Sequence, residues 1–146
     1  MKDEMKTREI LKHKIGIVVS ETYADITESM LVVAKKQAEL LNLEIKEIIY
    51  VPGCYDMPLV IKKMLLKSDI EAVVTLGAII EGNTDHDTIV AQNVARKIID
   101  LSVEYNKPVS LGISGPKMTH MDALNRIDSM AKNAVNSCAK LLKINI

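Results

Sequence analysis

Short apolar segments and helix-spaced apolar residues alternate along the chain. Four segments predict buried strands, because each is short, mostly apolar and rich in Val and Ile. They are KIGIVVS (14–20), EIKEIIYV (44–51), EAVVTLGAII (71–80) and PVSLGIS (108–114). Apolar residues at helical spacing follow each of them. The predicted order of elements is therefore β-α-β-α-β-α-β-α.

The helical spacing predicts four helices. The first runs from Ile26 after a cap at Asp25 or Thr27, and the second spans 57–68 with a proline in its first turn. The third begins near His86, and a single helix ends the chain. The predicted buried faces of these last two helices consist of Ile89, Val90, Val94, Ile98 and Leu101, and of Leu124, Ile127, Ala131, Ala134, Val135, Cys138 and Leu141.

Strands that are apolar on both faces and separated by helices indicate a parallel sheet covered on both sides. Right-handed crossovers then give an α/β fold of the flavodoxin-like, doubly wound type, with four core strands and helices on both faces. The 146 residues contain no internal repeat and no linker. We therefore expect one domain spanning residues 1–146, in which residues 1–13 form an N-terminal arm.

Composition narrows the function further. Lys and Arg together number 19, as do Asp and Glu, and aromatic residues make up 3% of the chain. A neutral, aromatic-poor chain is a poor candidate for binding nucleic acid. Its N-terminus does not resemble a secretory signal, and no apolar run is long enough to span a membrane. The distant pair Cys54 and Cys138 suits free thiols, so we expect a cytoplasmic protein.

Ligands of doubly wound sheets bind where the strands end at their carboxyl edge. Four loops reach that edge, and each contains hydrogen-bonding side chains. They are SETYADIT (20–27), VPGCYDMP (51–58), IIEGNTDHD (79–87) and GISGPKMT (112–119). The sequence therefore predicts that the chemistry of this protein is concentrated in these loops.

The third loop carries the strongest chemical signal. Thr84 or Asp85 is placed to cap the helix that begins near His86, so the preceding residues lie at a helix N-terminus that favours anions. His86 is either a proton shuttle near neutral pH or a histidine that packs at the helix start. Glu81 and the two neighbouring aspartates offer metal ligands, but no second histidine follows at zinc spacing, and we expect no metal.

Other loop and helix residues allow two interpretations each. Asp56 either caps the second helix or binds a ligand beside Tyr55. Arg126 and Lys132, on the last helix, are either phosphate-binding cations or ordinary surface charges.

Three of the loops together resemble the lumazine synthase family. The stretches VPGCYDMP, LGAIIEGNTDHDTIV and KPVSLGISGPKMT, followed by NRID, are similar to motifs of that family in an archaeal form. The resemblance covers residues 14–142. It implies a flavodoxin-like transferase that needs no cofactor and acts in riboflavin biosynthesis. The implied reaction condenses 5-amino-6-(D-ribitylamino)uracil with 3,4-dihydroxy-2-butanone 4-phosphate to 6,7-dimethyl-8-ribityllumazine, releasing phosphate and water.

The resemblance also implies roles for individual residues. His86 matches the catalytic histidine, and Arg126 matches an arginine that pairs with the substrate phosphate from a neighbouring subunit. Tyr23 is the aromatic residue of the first loop that could stack on the pyrimidine ring. The remaining implied substrate contacts are Cys54, Tyr55 and Asp56 near the ribityl chain, Ile79, Ile80 and Leu111 along the ring, and Gly82, Asn83, Thr84 and Lys132 around the phosphate.

The family resemblance implies a homo-oligomer, which is either a single pentamer or an icosahedral capsid built of pentamers. The absence of an insertion between the last helical segments favours the capsid. Two other functions are associated with the same fold. An archaeal-type riboflavin synthase shares the fold but lacks the segment with Gly82, Thr84 and His86. A non-enzymatic receiver domain would need an aspartate at the end of the third strand, and a flavodoxin-like flavin-binding domain would need a glycine loop after the first strand; neither is present.

Overall fold

Within residues 12–146, the part of the chain that the computed structural model describes, five parallel strands form one sheet. They are β1 (His13–Ser20), β2 (Leu43–Val51), β3 (Ala72–Ala78), β4 (Val109–Ser110) and β5 (Ile113–Ser114). The strand order is β2-β1-β3-β4, and β5 also pairs with β3. This arrangement confirms the predicted doubly wound parallel sheet. The predicted N-terminal arm lies outside the described residues except for Lys12 and His13, and His13 already belongs to β1.

Helices cover both faces of the sheet. They are α1 (Ala24–Leu40), a 3-10 helix (Cys54–Asp56), α2 (Met57–Leu65), α3 (His86–Tyr105), α4 (His120–Asn125) and α5 (Ile127–Leu142). Helices α1 and α5 pack on one face, and α2 and α3 pack on the other. Helix α2 ends at Leu65, three residues before the predicted end.

Alternation along β1 divides the core into two halves. Ile15, Ile17 and Val19 point toward α1 and α5, and Val18 points toward α2 and α3. All seven residues of β3 are buried. Burying each large aliphatic side chain stabilises the fold by about 1.5–3 kcal/mol, so this central pair of strands gives the carboxyl-edge loops a rigid base.

The fourth strand position is broken, although the sequence predicts one strand over 108–114. The hydroxyl of buried Thr75 donates to the Ser110 carbonyl at 2.7 Å and accepts the Gly112 N–H at 3.1 Å. A Cβ atom at Gly112 would overlap the Thr75 carbonyl oxygen, so only glycine fits there. The Thr75 side chain thus links β3 to the chain at the gap between β4 and β5, and Leu111 is about half exposed.

The single final helix predicted from the sequence is wrong, because the chain forms α4 and α5 with Arg126 between them. The Arg126 N–H bonds to the Ala123 carbonyl three residues back, and this tighter turn ends α4. The start of α4 is fixed by a capping box between Thr119 and Asp122. Leu141, expected on the buried face, is about half exposed.

The buried face of α3 also differs from the predicted one. Ile89 is exposed, because the residues that face the sheet are spaced alternately by four and three along the helix. They are Asp87, Ala91, Val94, Ile98 and Leu101. The first member of this apolar face is therefore an acid.

Candidate active site

Three of the four carboxyl-edge loops enclose a cavity of about 410 Å³. The loops that follow β1, β2 and β3 all contribute to it, so these three of the four predicted loops meet at one edge of the sheet. The lining residues are Thr22, Tyr23, Gly53, Cys54, Tyr55, Ala78, Ile79, Ile80, Gly82, Thr84, His86, Asp87 and Val90.

His86 lies at the mouth of this cavity as the first residue of α3. Its side chain is exposed, so it is not a histidine packed into the core. Its backbone N–H donates to Thr84 Oγ1 at 3.3 Å. Asp85 occupies the predicted cap position, but its side chain accepts no hydrogen bond from the helix. The start of a 20-residue helix therefore faces the cavity beside a titratable imidazole.

Gly82 lines the cavity without being required by the fold of the chain itself. A Cβ atom built on it meets no heavy atom within 4 Å. The space next to Gly82 is therefore open to a ligand, beside Thr84 and the start of α3. Asn83, predicted to share this role, is exposed and does not line the cavity in the single chain.

The floor of the cavity is largely apolar. Ala78 and Ile79 at the end of β3 are almost fully buried, and Val90 of α3 lies beside them. Cys54 completes this floor, and burial raises the pKa of its thiol from 9.0 to about 11. The thiol is therefore neutral at physiological pH, and the floor suits a flat, uncharged ring.

Tyr23 stands at the rim with an unusual backbone. Its φ and ψ of 59° and 55° are left-handed, a conformation that non-glycine residues rarely adopt. Its carbonyl accepts the N–H groups of Ile26 and Thr27, so Tyr23 caps α1, and the predicted cap at Asp25 or Thr27 is wrong. Asp25 instead pairs with His120 at 2.7 Å, and that imidazole packs edge-on against the Tyr23 ring.

Of the two polar residues predicted in the loop after β2, Tyr55 and Asp56, one lines the cavity. Tyr55 lines the cavity and is largely exposed. Asp56 does not line it, and its Oδ2 accepts the Gly53 N–H at 3.1 Å. Within the single chain, Asp56 therefore stabilises the turn that positions Gly53 and Cys54.

Three predicted site residues lie away from the cavity. Leu111 borders a separate apolar depression of about 200 Å³ with Ile79 and Pro116. Arg126 is exposed at the junction of α4 and α5. Lys132 pairs with Asp128 one turn earlier, at 3.0 Å. None of these side chains meets His86 inside one chain.

Sequence reasoning did not identify five of the lining residues: Thr22, Gly53, Ala78, Asp87 and Val90. Asp87 is the most informative of them, because in the sequence it looks like a solvent-exposed acid at the start of a helix. Asp87 is instead 9% exposed, and its Oδ2 accepts the Lys117 N–H at 3.1 Å. The 3.6-residue period of α3 was the available signal, since it places residue 87 in line with Ala91 and Val94.

The cavity has little positive charge of its own. Among the described residues, no Lys or Arg side chain lines it. The same residues contain no group of three or more His, Cys, Asp or Glu that could hold a metal ion. No helix in residues 12–146 is long and apolar enough to cross a membrane.

A doubly wound parallel sheet with a cavity at its carboxyl edge, a histidine at a helix start and a glycine-threonine loop defines a flavodoxin-like protein with a small-molecule site. A family model described as 6,7-dimethyl-8-ribityllumazine synthase matches residues 12–145. The chain belongs to this family, which confirms the resemblance predicted from its loops.

Relatives named 6,7-dimethyl-8-ribityllumazine synthase are similar over nearly their full length. The protein of Picrophilus torridus is 56% identical over 131 residues, covering 90% of this chain and 96% of the relative. The protein of Methanoculleus marisnigri is 56% identical over 89% of this chain and 96% of the relative. The protein of Archaeoglobus fulgidus is 53% identical over 90% and 92%.

Proposed function

We propose that this chain is a transferase that condenses 5-amino-6-(D-ribitylamino)uracil with 3,4-dihydroxy-2-butanone 4-phosphate. The product is 6,7-dimethyl-8-ribityllumazine, the precursor of riboflavin, and phosphate and water are released. The observation that carries the proposal is a proton-transfer group, His86, beside an open helix start and above an apolar floor. Family membership and the named relatives support the same reaction.

The proposed steps are imine formation, loss of phosphate, tautomerisation of the resulting enol and ring closure. Each step moves protons around two substrates that must be held together. An imidazole nitrogen can take up a proton and release it again, so His86 can accept a proton in one step and return it in the next. No metal and no organic cofactor is part of this proposal.

The two substrates divide the cavity between them in this proposal. The pyrimidine ring lies along Ile79 and Ile80, with Tyr23 at its edge, and the ribityl chain extends toward Cys54, Tyr55 and Asp56. The phosphate lies at Gly82, Asn83 and Thr84, where the N–H groups at the start of α3 favour an anion. The open space at Gly82 supports this placement.

The phosphate also needs a cation, and we propose that a neighbouring copy of the chain supplies it. No Lys or Arg of the described residues lines the cavity, whereas Arg126 is exposed elsewhere. A guanidinium binds phosphate through two parallel hydrogen bonds. Lys132 and the exposed Leu111 are proposed to reach the same neighbouring site.

We propose a homo-oligomer of pentamers, arranged as an icosahedral capsid. Exposed apolar residues on α3, Ile89, Ile99 and Val103, support contacts between copies. Five chains of 16.2 kDa have a mass of about 81 kDa and sixty have about 970 kDa, so sedimentation of the purified protein separates the two assemblies. The proposed location is the cytoplasm, where the free thiols Cys54 and Cys138 stay reduced.

The function is tested by incubating the purified protein with both substrates and measuring lumazine and phosphate by chromatography. A second incubation with the lumazine alone tests for riboflavin synthase activity. We expect product from the first incubation and none from the second. Riboflavin from the second incubation, or no lumazine from the first, would reject the proposal.

The role of His86 is tested by His86→Ala, which should lower kcat by about 10- to 10⁴-fold. His13→Ala is the matched control, since His13 pairs with Glu71 at the start of β1, far from the carboxyl edge. Turnover of the control should stay close to that of the wild type. Wild-type turnover in His86→Ala would remove the proposed role.

A further inference from the structure

Asp87 is a buried acid that the proposed chemistry leaves without a role. It begins the face of α3 that packs on the sheet, directly after His86, and it borders the cavity. No cation pairs with it among the described residues. Its side chain accepts a hydrogen bond from the backbone N–H of Lys117, at 3.1 Å from Oδ2. Burying a carboxylate costs folding free energy unless hydrogen bonds or an opposite charge compensate for the lost water.

The neighbour of Lys117 bonds to the other end of the same loop. The Met118 carbonyl accepts the Glu81 N–H at 2.9 Å. Two adjacent residues, Lys117 and Met118, therefore hold Glu81 and Asp87, which lie on either side of Gly82–His86. We call this pair of hydrogen bonds the loop clamp.

The clamp is itself anchored to the sheet. The Ile79 N–H donates to the Ser114 carbonyl at 2.7 Å. Gly115 then packs against the Ile79 backbone so closely that a Cβ atom would overlap the Ile79 carbonyl oxygen. Lys117 has a left-handed φ of 55°, which directs its N–H toward Asp87. The start of this segment, Ser114 and Gly115, is thus held by Ile79, directly after β3, and not by the loop that the clamp holds.

The clamped loop has little internal support. Between Gly82 and His86, the described residues form one side-chain hydrogen bond, that of the His86 N–H to Thr84 Oγ1 at 3.3 Å. A loop of this kind takes its shape from its two fixed ends. The place of the His86 imidazole therefore depends on the bond that holds the next residue.

We propose that Asp87 is a positioning residue, which, through the Lys117 N–H, holds the first turn of α3 so that His86 faces the cavity. This inference rests on the proposed function for its kinetic consequence, but the clamp itself is a feature of the fold. It requires an acceptor oxygen at residue 87 and does not require a negative charge.

The test compares Asp87→Ala, which removes the acceptor, with Asp87→Asn, whose amide oxygen can still accept the Lys117 N–H. Asp85→Ala is the matched control, because it removes an exposed acid on the other side of His86 that does not line this cavity. Displacement of a catalytic group by about 1 Å can cost 10²-fold in rate, so Asp87→Ala should lower kcat by about 10- to 100-fold.

Comparing the effects on kcat and on KM distinguishes a misplaced His86 from a general loss of structure in Asp87→Ala. Measured well below the unfolding temperature, Asp87→Ala should lower kcat and leave the KM of the ribitylaminouracil within about three-fold, because Ile79 and Tyr23 are untouched. Asp87→Asn should recover most of the lost kcat, and Asp85→Ala should match the wild type. Wild-type kcat in Asp87→Ala would overturn the proposal.

Amide hydrogen exchange supplies a readout that needs no turnover. The Lys117 amide should exchange at least about ten-fold faster in Asp87→Ala than in the wild type, and at nearly the wild-type rate in Asp87→Asn and Asp85→Ala. Unchanged exchange in Asp87→Ala would overturn the clamp. Asp87→Asn with low kcat and slow exchange would also overturn the proposal, since the charge would then act on the substrate. A wild-type protein that makes no lumazine rejects the proposed function, whereas the exchange result still decides the clamp.

Discussion

Gly82 and Gly115 lie in neighbouring loops, but the surrounding chain leaves different amounts of space at the two residues. Gly115 has a φ of 113° and abuts the Ile79 backbone, whereas Gly82 is outside the left-handed region and has no neighbour within 4 Å of a built Cβ. The fold therefore requires glycine at residue 115, and the proposed phosphate site is the reason for glycine at residue 82.

Gly82→Ala should leave the free energy of unfolding within about 0.5 kcal/mol of the wild type and raise the KM of the butanone phosphate. Gly115→Ala is the matched comparison and should lower the free energy of unfolding by more than about 2 kcal/mol, through backbone strain and overlap. Urea unfolding and steady-state kinetics measure both. A normal KM in Gly82→Ala would argue against a ligand at that position.

Ionisation of the buried Cys138 thiol should lower the free energy of unfolding at alkaline pH. Burial raises the pKa of its thiol from 9.0 to about 11. The folded state favours the neutral thiol, so this contribution to stability is complete below pH 9 and is lost as the pH rises toward 11.

Between these values, the wild type should lose up to roughly 1.4 kcal/mol of unfolding free energy per pH unit more than Cys138→Ala. Urea unfolding at several pH values measures the difference, in which the lysines and tyrosines shared by both proteins cancel. Parallel curves for the two proteins would mean that the thiol ionises as easily in the folded state as in the unfolded state.

Residue roles were predictable where a side chain and its loop indicated the same chemistry. His86, Gly82 and Thr84 follow from a histidine and a glycine turn at the carboxyl edge of a predicted sheet, and all three line the cavity. The role of Asp87 does not follow from the sequence, because an acid next to a helix start looks solvent-exposed until its contact with the Lys117 backbone is known. Asp56 was interpreted as a cap of the second helix or as a ligand contact, but its side chain makes no cap bond to α2 and instead accepts the Gly53 N–H.

At the scale of elements, one buried hydroxyl supports the broken fourth strand. Thr75 bonds to Ser110 and Gly112 on the two sides of the break. Thr75→Val keeps the shape of the side chain but leaves a buried carbonyl and a buried N–H without this partner. We expect a loss of about 1–3 kcal/mol in the free energy of unfolding, measured by urea denaturation.

Thr27→Val provides the control for this prediction. Thr27 is also a buried threonine, but its hydroxyl has no hydrogen-bond partner within residues 12–146. Replacing it with valine should therefore be neutral or stabilising. Equal losses in the two variants would show that the Thr75 hydroxyl adds nothing beyond its packing.

Element order was predictable from periodicity, but the interruptions within elements were not. The breaks at Leu111–Gly112 and at Arg126 depend on contacts with Thr75 and on a tightened turn after Ala123. Neither break interrupts the apolar pattern, since Ile113 is buried beyond the first break, and Leu124 and Ile127 pack partly buried against the core on either side of Arg126. Ile89 is exposed for another reason, because the buried positions of α3 are residues 87, 91, 94, 98 and 101, and residue 89 lies off that face.

At the scale of the whole molecule, one chain holds an incomplete set of the proposed site residues. The cavity contains His86 and the Gly82 loop, and Arg126 lies outside it. A ring of identical subunits joined head to tail would bring Arg126 of one copy to His86 of the next at every interface. Each active site would then belong to two chains.

Coexpressing His86→Ala and Arg126→Ala subunits tests this arrangement. Each variant alone should have low activity. In equal random mixtures, about a quarter of the sites would pair an intact His86 with an intact Arg126, so about a quarter of wild-type activity should return. If both residues served one site within the same chain, the mixture would stay as inactive as its components. A mixture of wild-type and doubly substituted subunits is the control, because it should give about a quarter for shared sites and about a half for sites within single chains.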